Sequence, residues 1–168
     1  MRTYTNEHQQ NLTRRNISAA SDNVNDADIQ PVIDMINDAL EDEYRDYYKY
    51  MALSEKMADG TDAETVKSMA YDEYKHRRLF EEIYTALTGA APLPPKNIFK
   101  PENIDNLTEV FTDSLFGELD AVELYRDIMF SISNTGIRDM IFEIITDEQS
   151  HADLINYLLP KLYSGAVQ

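Results

Sequence analysis

The sequence contains no cysteine, and this absence excludes several chemistries. None of its 168 residues can form a disulfide, hold zinc or an iron–sulfur cluster through thiolates, or act as a cysteine nucleophile. Any metal ion that the protein binds must therefore be held by oxygen and nitrogen ligands.

Positive charge and long apolar runs are also scarce. Fifteen Lys and Arg oppose 31 Asp and Glu, and the resulting formal charge of −16 would repel nucleic acid and anionic membranes. No run approaches the roughly 18 apolar residues of a membrane span, and the N-terminus lacks the apolar core of a signal peptide. We therefore expect a cytoplasmic protein with neither nucleic-acid nor membrane partners.

Apolar residues are sparse in the first 27 positions, which are rich in Asn, Thr, Ser and Asp. This composition predicts a polar N-terminal tail over residues 1–27. A transit peptide is the alternative, but several acidic residues interrupt the segment. Residues 28–163 are expected to form one globular domain, and residues 164–168 a short C-terminal tail.

Glycine and proline fall at only a few places after Asp28, and apolar residues between them recur at helical spacing. This pattern predicts an all-α protein with four helices. The expected spans are Asp28 to about Ala58, Thr61 to Gly89 with a Thr61/Glu64 capping box, Asn106 to about Ser133 with Glu109 in the first turn, and, after the Asn134-Thr135-Gly136 turn, a helix that ends between Pro160 and Tyr163.

The connection between the second and third helices, Ala90 to Asp105, is long and contains four prolines. At about 3.3 Å per extended residue it can pass from one end of a helical bundle to the other. The sequence therefore predicts a four-helix bundle made of two antiparallel helical hairpins that are joined by a long crossover.

Polar residues interrupt the apolar face of each predicted helix. Every face carries a glutamate at its middle, and on the second and fourth helices a histidine follows three residues later, one turn along the same face. The six residues are Glu43, Glu73, His76, Glu118, Glu148 and His151.

These residues belong to an internal repeat with an offset of 75 positions. The offset superposes Glu43 on Glu118, Tyr50 on Tyr125, Asp72 on Asp147, Glu73 on Glu148 and His76 on His151. Each half is thus a helical hairpin with a Glu, a Tyr seven residues later and a Glu-x-x-His.

Helix geometry brings the six side chains to one level. From Glu43 the chain rises roughly 22 Å to the first turn, and it descends roughly 21 Å from there to His76. Packing the two hairpins together predicts a dinuclear site of four carboxylates and two imidazoles, whose charge of −4 two divalent ions would neutralise. These ligands suit iron or manganese, with zinc as an occupant in vitro. The alternative is a scaffold whose Glu and His residues are structural, and such a fold would be indifferent to chelators.

Tyr50 and Tyr125 share the repeat, and helical side chains lean toward the N-terminus, here toward the ligands. We expect each tyrosine to hydrogen-bond a ligand. Tyr44, Tyr47 and Tyr48 have no tyrosine at the repeat-related positions, and we expect them to serve ordinary side-chain packing.

The motifs resemble the ferritin-like superfamily, and within it the rubrerythrin-like proteins. The resemblance covers about residues 30–163 and rests on Glu43, Glu73-Tyr74-Lys75-His76, Glu118 and Glu148-Gln149-Ser150-His151, in this order with the long crossover between hairpins. It implies that Glu43 and His76 bind one iron, that Glu118 and His151 bind the other, and that Glu73 and Glu148 bridge them. It also implies an oxidoreductase whose two iron ions react with hydrogen peroxide or dioxygen.

Two departures from the rubrerythrin pattern bear on function. Rubrerythrins proper carry a cysteine-bound iron module for electron transfer, so this chain would need a separate electron donor protein. They also usually have a further carboxylate where this chain has Ala121. Asp46, at the repeat-related position, is a candidate substitute.

The function that the resemblance favours is a di-iron oxidoreductase that reduces peroxide or oxidises Fe(II). Two alternatives are a dimanganese, catalase-like centre that disproportionates peroxide without a donor, and iron binding or storage without turnover. We expect a homodimer.

Overall fold

The computed structural model describes residues 29–95 and 104–165. Four helices account for nearly all of these residues, and neither range contains a strand. They are α1 (Gln30–Ser54), α2 (Gly60–Thr88), α3 (Leu107–Phe130) and α4 (Thr135–Tyr163). The predicted all-α fold with four helices is thereby confirmed.

Asparagine caps begin α3 and α4 where the sequence predicts them. The Asn106 side chain accepts a hydrogen bond from the Glu109 backbone N–H at 3.2 Å, and that of Asn134 accepts one from Ile137 at 3.0 Å. The predicted Thr61/Glu64 capping box is wrong. Asp59 caps α2 instead, because its carboxylate accepts from the backbone N–H groups of Thr61 and Asp62.

Two helices end earlier than predicted. The first ends at Ser54 rather than Ala58, where the backbone tightens and the Lys56 N–H bonds to the Leu53 carbonyl. The third ends at Phe130 rather than Ser133, and the Arg138 guanidinium donates to the Met129 and Ile132 carbonyls just there. Arg138 thus supplies partners that another helical turn would otherwise provide.

The cap at Asn134 gives a measurable stability prediction. Replacing Asn134 with Ala leaves the Ile137 N–H without its side-chain acceptor, so we expect a loss of about 1 kcal/mol in the free energy of unfolding. Urea denaturation measures it. Asn134→Asp keeps an acceptor and should stay close to wild type. Equal losses in both variants would contradict the role assigned to the cap.

The helices form two hairpins, α1 with α2 and α3 with α4, and across the bundle α1 packs on α3 and α2 on α4. Tyr50 contacts Glu118 whereas Tyr125 contacts Glu43, so α1 and α3 run in opposite directions. Helix α2 consequently ends at one end of the bundle and α3 begins at the other. The connection between them must cross the length of the bundle, as predicted.

Parts of several predictions lie outside the described residues. These are the N-terminal tail over residues 1–27, the middle of the crossover at 96–103, and positions 166–168 of the C-terminal tail. None of the helices in the part of the chain that the structure describes is long and apolar enough to cross a membrane.

Two apolar clusters fill the bundle, one toward each end. The first includes Ile36, Phe80 and Ile128, and the second includes Leu53, Met69 and Ile155. Along every helix the predicted polar residues fall between the segments that build these clusters. The candidate site is therefore enclosed by apolar layers above and below.

Candidate metal centre

All six residues that the sequence singles out meet in the middle of the bundle, and all are buried. None exposes more than 3% of its surface. They are Glu43 from α1, Glu73 and His76 from α2, Glu118 from α3, and Glu148 and His151 from α4. Burying a carboxylate costs free energy unless an opposite charge or hydrogen bonds compensate it. Four buried carboxylates in one place therefore indicate a specific role.

The side chains form two overlapping groups of four. Glu43 and His76 complete one group and Glu118 and His151 the other, while Glu73 and Glu148 belong to both. Within each group one ligand atom per residue lies within 4.8 Å of all the others. The shared pair is the pair that the resemblance implies as bridges between two ions.

The imidazoles face the centre through Nδ1. His76 Nδ1 lies 2.9 Å from a Glu148 oxygen and 3.5 Å from Glu43. His151 Nδ1 mirrors it, 3.1 Å from Glu73 and 3.5 Å from Glu118. The internal repeat of the sequence thus corresponds to a two-fold pseudosymmetry of the site in the structure.

Tyr50 and Tyr125 link the two halves. The Tyr125 hydroxyl donates to Glu43 at 2.5 Å, and the Tyr50 hydroxyl donates to Glu118. Each tyrosine therefore orients a glutamate that belongs to the opposite hairpin. Hydrogen bonds of this kind fix the geometry of a ligating carboxylate.

The carboxylates next to the outer nitrogens of the histidines were not predicted from the sequence. His76 Nε2 lies 3.2 Å from Asp147, whose carboxylate also accepts a hydrogen bond from the Lys75 ammonium at 2.6 Å. His151 Nε2 lies 3.6 Å from Asp72. The repeat held the signal for both aspartates, since each directly precedes a glutamate of the site and the 75-residue offset pairs them. Lys75 has no counterpart, because Ser150 stands at the related position.

Burial and mutual repulsion set the protonation of the carboxyls. Burial, reinforced by the charges of neighbouring glutamates, raises the pKa of Glu43 and that of Glu118 well above the usual value. Burial acts in the same direction on Glu73 and Glu148, but the two histidines outweigh it and lower the pKa of both.

The imidazoles respond in the opposite sense. Burial disfavours the charged ring, yet the surrounding carboxylates overcome it and raise the pKa of His76 and of His151 well above the usual value. The raised pKa values favour protons on Glu43, Glu118 and the two histidines, and these protons offset charge in the metal-free cluster. Two divalent cations would take over this role by displacing the protons.

The donor set fits hard or borderline divalent cations. It consists of carboxylate oxygens and imidazole nitrogens, with no thiolate. One oxygen each of Glu43, Glu73 and Glu148 is buried and accepts no hydrogen bond of good geometry, and a cation would satisfy these oxygens.

Asp46 does not join either group among the described residues. Its carboxylate instead pairs with Lys49 at 2.9 Å and with Arg45 at 3.5 Å. Tyr44, Tyr47 and Tyr48 pack edge-on against one another, as predicted for packing residues.

A family model that describes a ferritin-like domain matches residues 32–161. The chain belongs to the ferritin-like family. No curated protein matches this ferritin-like chain at a significant level.

Solved structures of other proteins share the fold of this ferritin-like protein. A hypothetical protein from Pyrococcus furiosus has a TM-score of 0.69 at 16% identity, covering 79% of this chain and 90% of its own. The dodecameric thioferritin, a bacterioferritin-related protein from Bacteroides fragilis, has a TM-score of 0.66 at 18% identity, and the match covers 82% of this chain and 89% of the thioferritin chain. The bacterioferritin of Mycobacterium tuberculosis has a TM-score of 0.65 at 18% identity, and the match covers 80% of this chain and 87% of the bacterioferritin chain.

Proposed function

We propose that the protein is a di-iron oxidoreductase of rubrerythrin type, which reacts with hydrogen peroxide or dioxygen. The observation that carries the proposal is the pair of overlapping ligand groups that share Glu73 and Glu148. Such sharing places two ions side by side and suits two-electron chemistry on a small oxidant. Membership of the ferritin-like family, which typically binds iron, favours iron over manganese.

Each residue has a defined task in this proposal. Glu43 and His76 would hold one ion, Glu118 and His151 would hold the other, and the two shared glutamates would contact both. Iron, when bound there, would supply electrons to the oxidant. The apolar layers at both ends of the bundle limit access to small molecules. Because the chain has no cysteine-bound iron of its own, the electrons must come from a separate donor.

Oxidant consumption distinguishes this proposal from its manganese alternative. Protein loaded anaerobically with Fe(II) should consume peroxide and stop when its electrons are spent, then resume when a reductant is added. Sustained oxygen evolution from peroxide without any reductant, with Mn(II) as the active metal, would establish the catalase-like alternative instead.

The tyrosines provide a test of the ligand geometry. Tyr125→Phe removes the hydrogen bond to Glu43 while keeping the ring, so we expect metal affinity to fall about tenfold. Titration with Mn(II), followed by the electron paramagnetic resonance of the free ion, measures it. Tyr47→Phe is the matched control, since its ring packs against Tyr48 and Tyr74. An unchanged affinity in Tyr125→Phe would contradict the assigned role.

Iron storage is the second candidate function. It is supported by the similarity in fold to bacterioferritin and to a thioferritin that is described as dodecameric. Storage requires a closed shell, whereas a homodimer of two 19.4 kDa chains cannot enclose a mineral core. Sedimentation velocity of the metal-loaded protein separates the two, because a shell would sediment as a large oligomer.

A further inference from the structure

The two halves of the site are not equivalent behind their histidines. On one side Lys75 donates to Asp147, and Asp147 lies within hydrogen-bond distance of His76 Nε2. On the other side His151 Nε2 is buried without a hydrogen-bond partner. Asp72 is the nearest carboxylate there, but at 3.6 Å it lies beyond hydrogen-bond distance.

The inequivalence follows from the break in the repeat at Lys75. Its counterpart Ser150 turns back to its own helix and donates to the Thr146 carbonyl. Lys75 is held from a second direction as well, by Glu143 at 3.5 Å. Asp147 is therefore fixed by a cation, whereas Asp72 exposes 43% of its side chain to solvent.

We propose that Lys75 is a positioning residue that makes the two metal positions unequal. By fixing Asp147 it fixes the His76 ring with Nδ1 toward the centre, so the position of Glu43 and His76 binds its ion first and more tightly. The position of Glu118 and His151 fills second and exchanges faster. This inference rests on the proposed dinuclear centre.

Preorganisation explains the direction of the effect. A ligand that is already held in its binding orientation loses less conformational freedom when the ion arrives. Partners behind a metal-bound histidine typically change affinity by 10- to 100-fold when they are removed. A purely electrostatic action of Lys75 would repel metal cations, so removing Lys75 would tighten binding rather than weaken it.

Single-histidine variants isolate the positions. In His151→Ala only the Glu43 and His76 position keeps its histidine, and in His76→Ala only the other does. Calorimetric titration with Mn(II) should give a dissociation constant about tenfold lower in His151→Ala than in His76→Ala. Equal constants, or the reverse order, would overturn the inference.

Lys75→Ser is then introduced into both backgrounds, giving Lys75 the residue of its counterpart. We expect affinity to fall about tenfold in the His151→Ala background and to stay within about twofold in the other. Equal losses in both, or tighter binding in the His151→Ala background, would show that Lys75 does not act by positioning Asp147 and would overturn the inference. Ser150→Lys in the His76→Ala background offers Asp72 the same partner and should tighten binding there.

Crystals of the wild-type protein give a measurement that needs no variant. After soaking with less than one equivalent of Mn(II), anomalous scattering should concentrate at Glu43 and His76, and even occupancy would overturn the inference. The failures are distinguishable: if wild-type protein binds no Mn(II) in the titration, the dinuclear centre itself fails. If it binds two ions without dependence on Lys75, only the inequivalence fails.

Discussion

Divalent metal should raise the melting temperature of this protein by about 10 to 20 °C. An ion present at 100 times its dissociation constant stabilises the folded state by about 2.7 kcal/mol, so two ions contribute about 5 kcal/mol. For a chain of this size each kcal/mol corresponds to about 2 to 4 °C. Differential scanning calorimetry with EDTA and with Mn(II), or with Fe(II) under anaerobic conditions, measures the difference.

Glu73→Gln should abolish most of this increase, because Glu73 belongs to both ligand groups and the amide cannot bridge two cations as an anion. Glu82→Gln makes the same change at an exposed position of the same helix and should keep the full increase. A wild-type melting temperature that is the same with metal and with chelator would support the scaffold interpretation.

The metal-free and metal-bound proteins should respond to pH in opposite directions. Glu43, Glu118, His76 and His151 have raised pKa values in the folded protein. The stabilisation from such groups is complete below the unfolded pKa, which is 4.5 for Glu and 6.5 for His, and is lost as pH rises toward the folded pKa. With EDTA, stability should therefore fall as pH rises above 4.5, and it should fall more steeply above 6.5, where the histidines of the unfolded chain also lose their protons.

Lowered pKa values do not reverse this trend. Glu73 and Glu148 contribute stability that is already complete above pH 4.5. Metal ions, in contrast, must displace protons from the groups with raised pKa values, so affinity and stability rise with pH in the presence of excess metal. Metal binding should therefore release protons into the solvent.

Thermal unfolding across this pH range, with and without metal, measures both trends. The double variant Glu43→Gln, Glu118→Gln removes the two titrating carboxyls at nearly constant shape. Its metal-free form should lose stability less steeply with pH than wild type. Parallel trends for metal-free and metal-loaded wild-type protein would contradict the proposed exchange of protons for metal.

Most of the fold could be predicted from the sequence, because apolar spacing, helix caps and the long proline-containing connection are all visible in short stretches of the chain. Asn106 and Asn134 cap helices as their sequence context indicates. The error at the end of α3 fell where a tertiary contact decides the outcome. Arg138 bonds the end of α3 from the next helix, and no local pattern near Phe130 reveals that contact.

The candidate site was visible for a different reason: a duplicated motif gives every residue a partner. The same duplication paired Asp72 with Asp147. Their proximity to the histidines could not be predicted, because each aspartate approaches a histidine on a different helix. Lys75 was beyond prediction, since it breaks the repeat and its partners lie on another helix.

The number of metal ions bound per chain is the most direct test of the proposed dinuclear centre. Metal-free protein is reconstituted anaerobically with Fe(II) and, separately, with Mn(II), and bound metal is counted by mass spectrometry after gel filtration. We expect close to two ions per chain in the wild-type protein and fewer in Glu73→Ala and His151→Ala. No retained metal in the wild type, or binding unchanged in both variants, would contradict it.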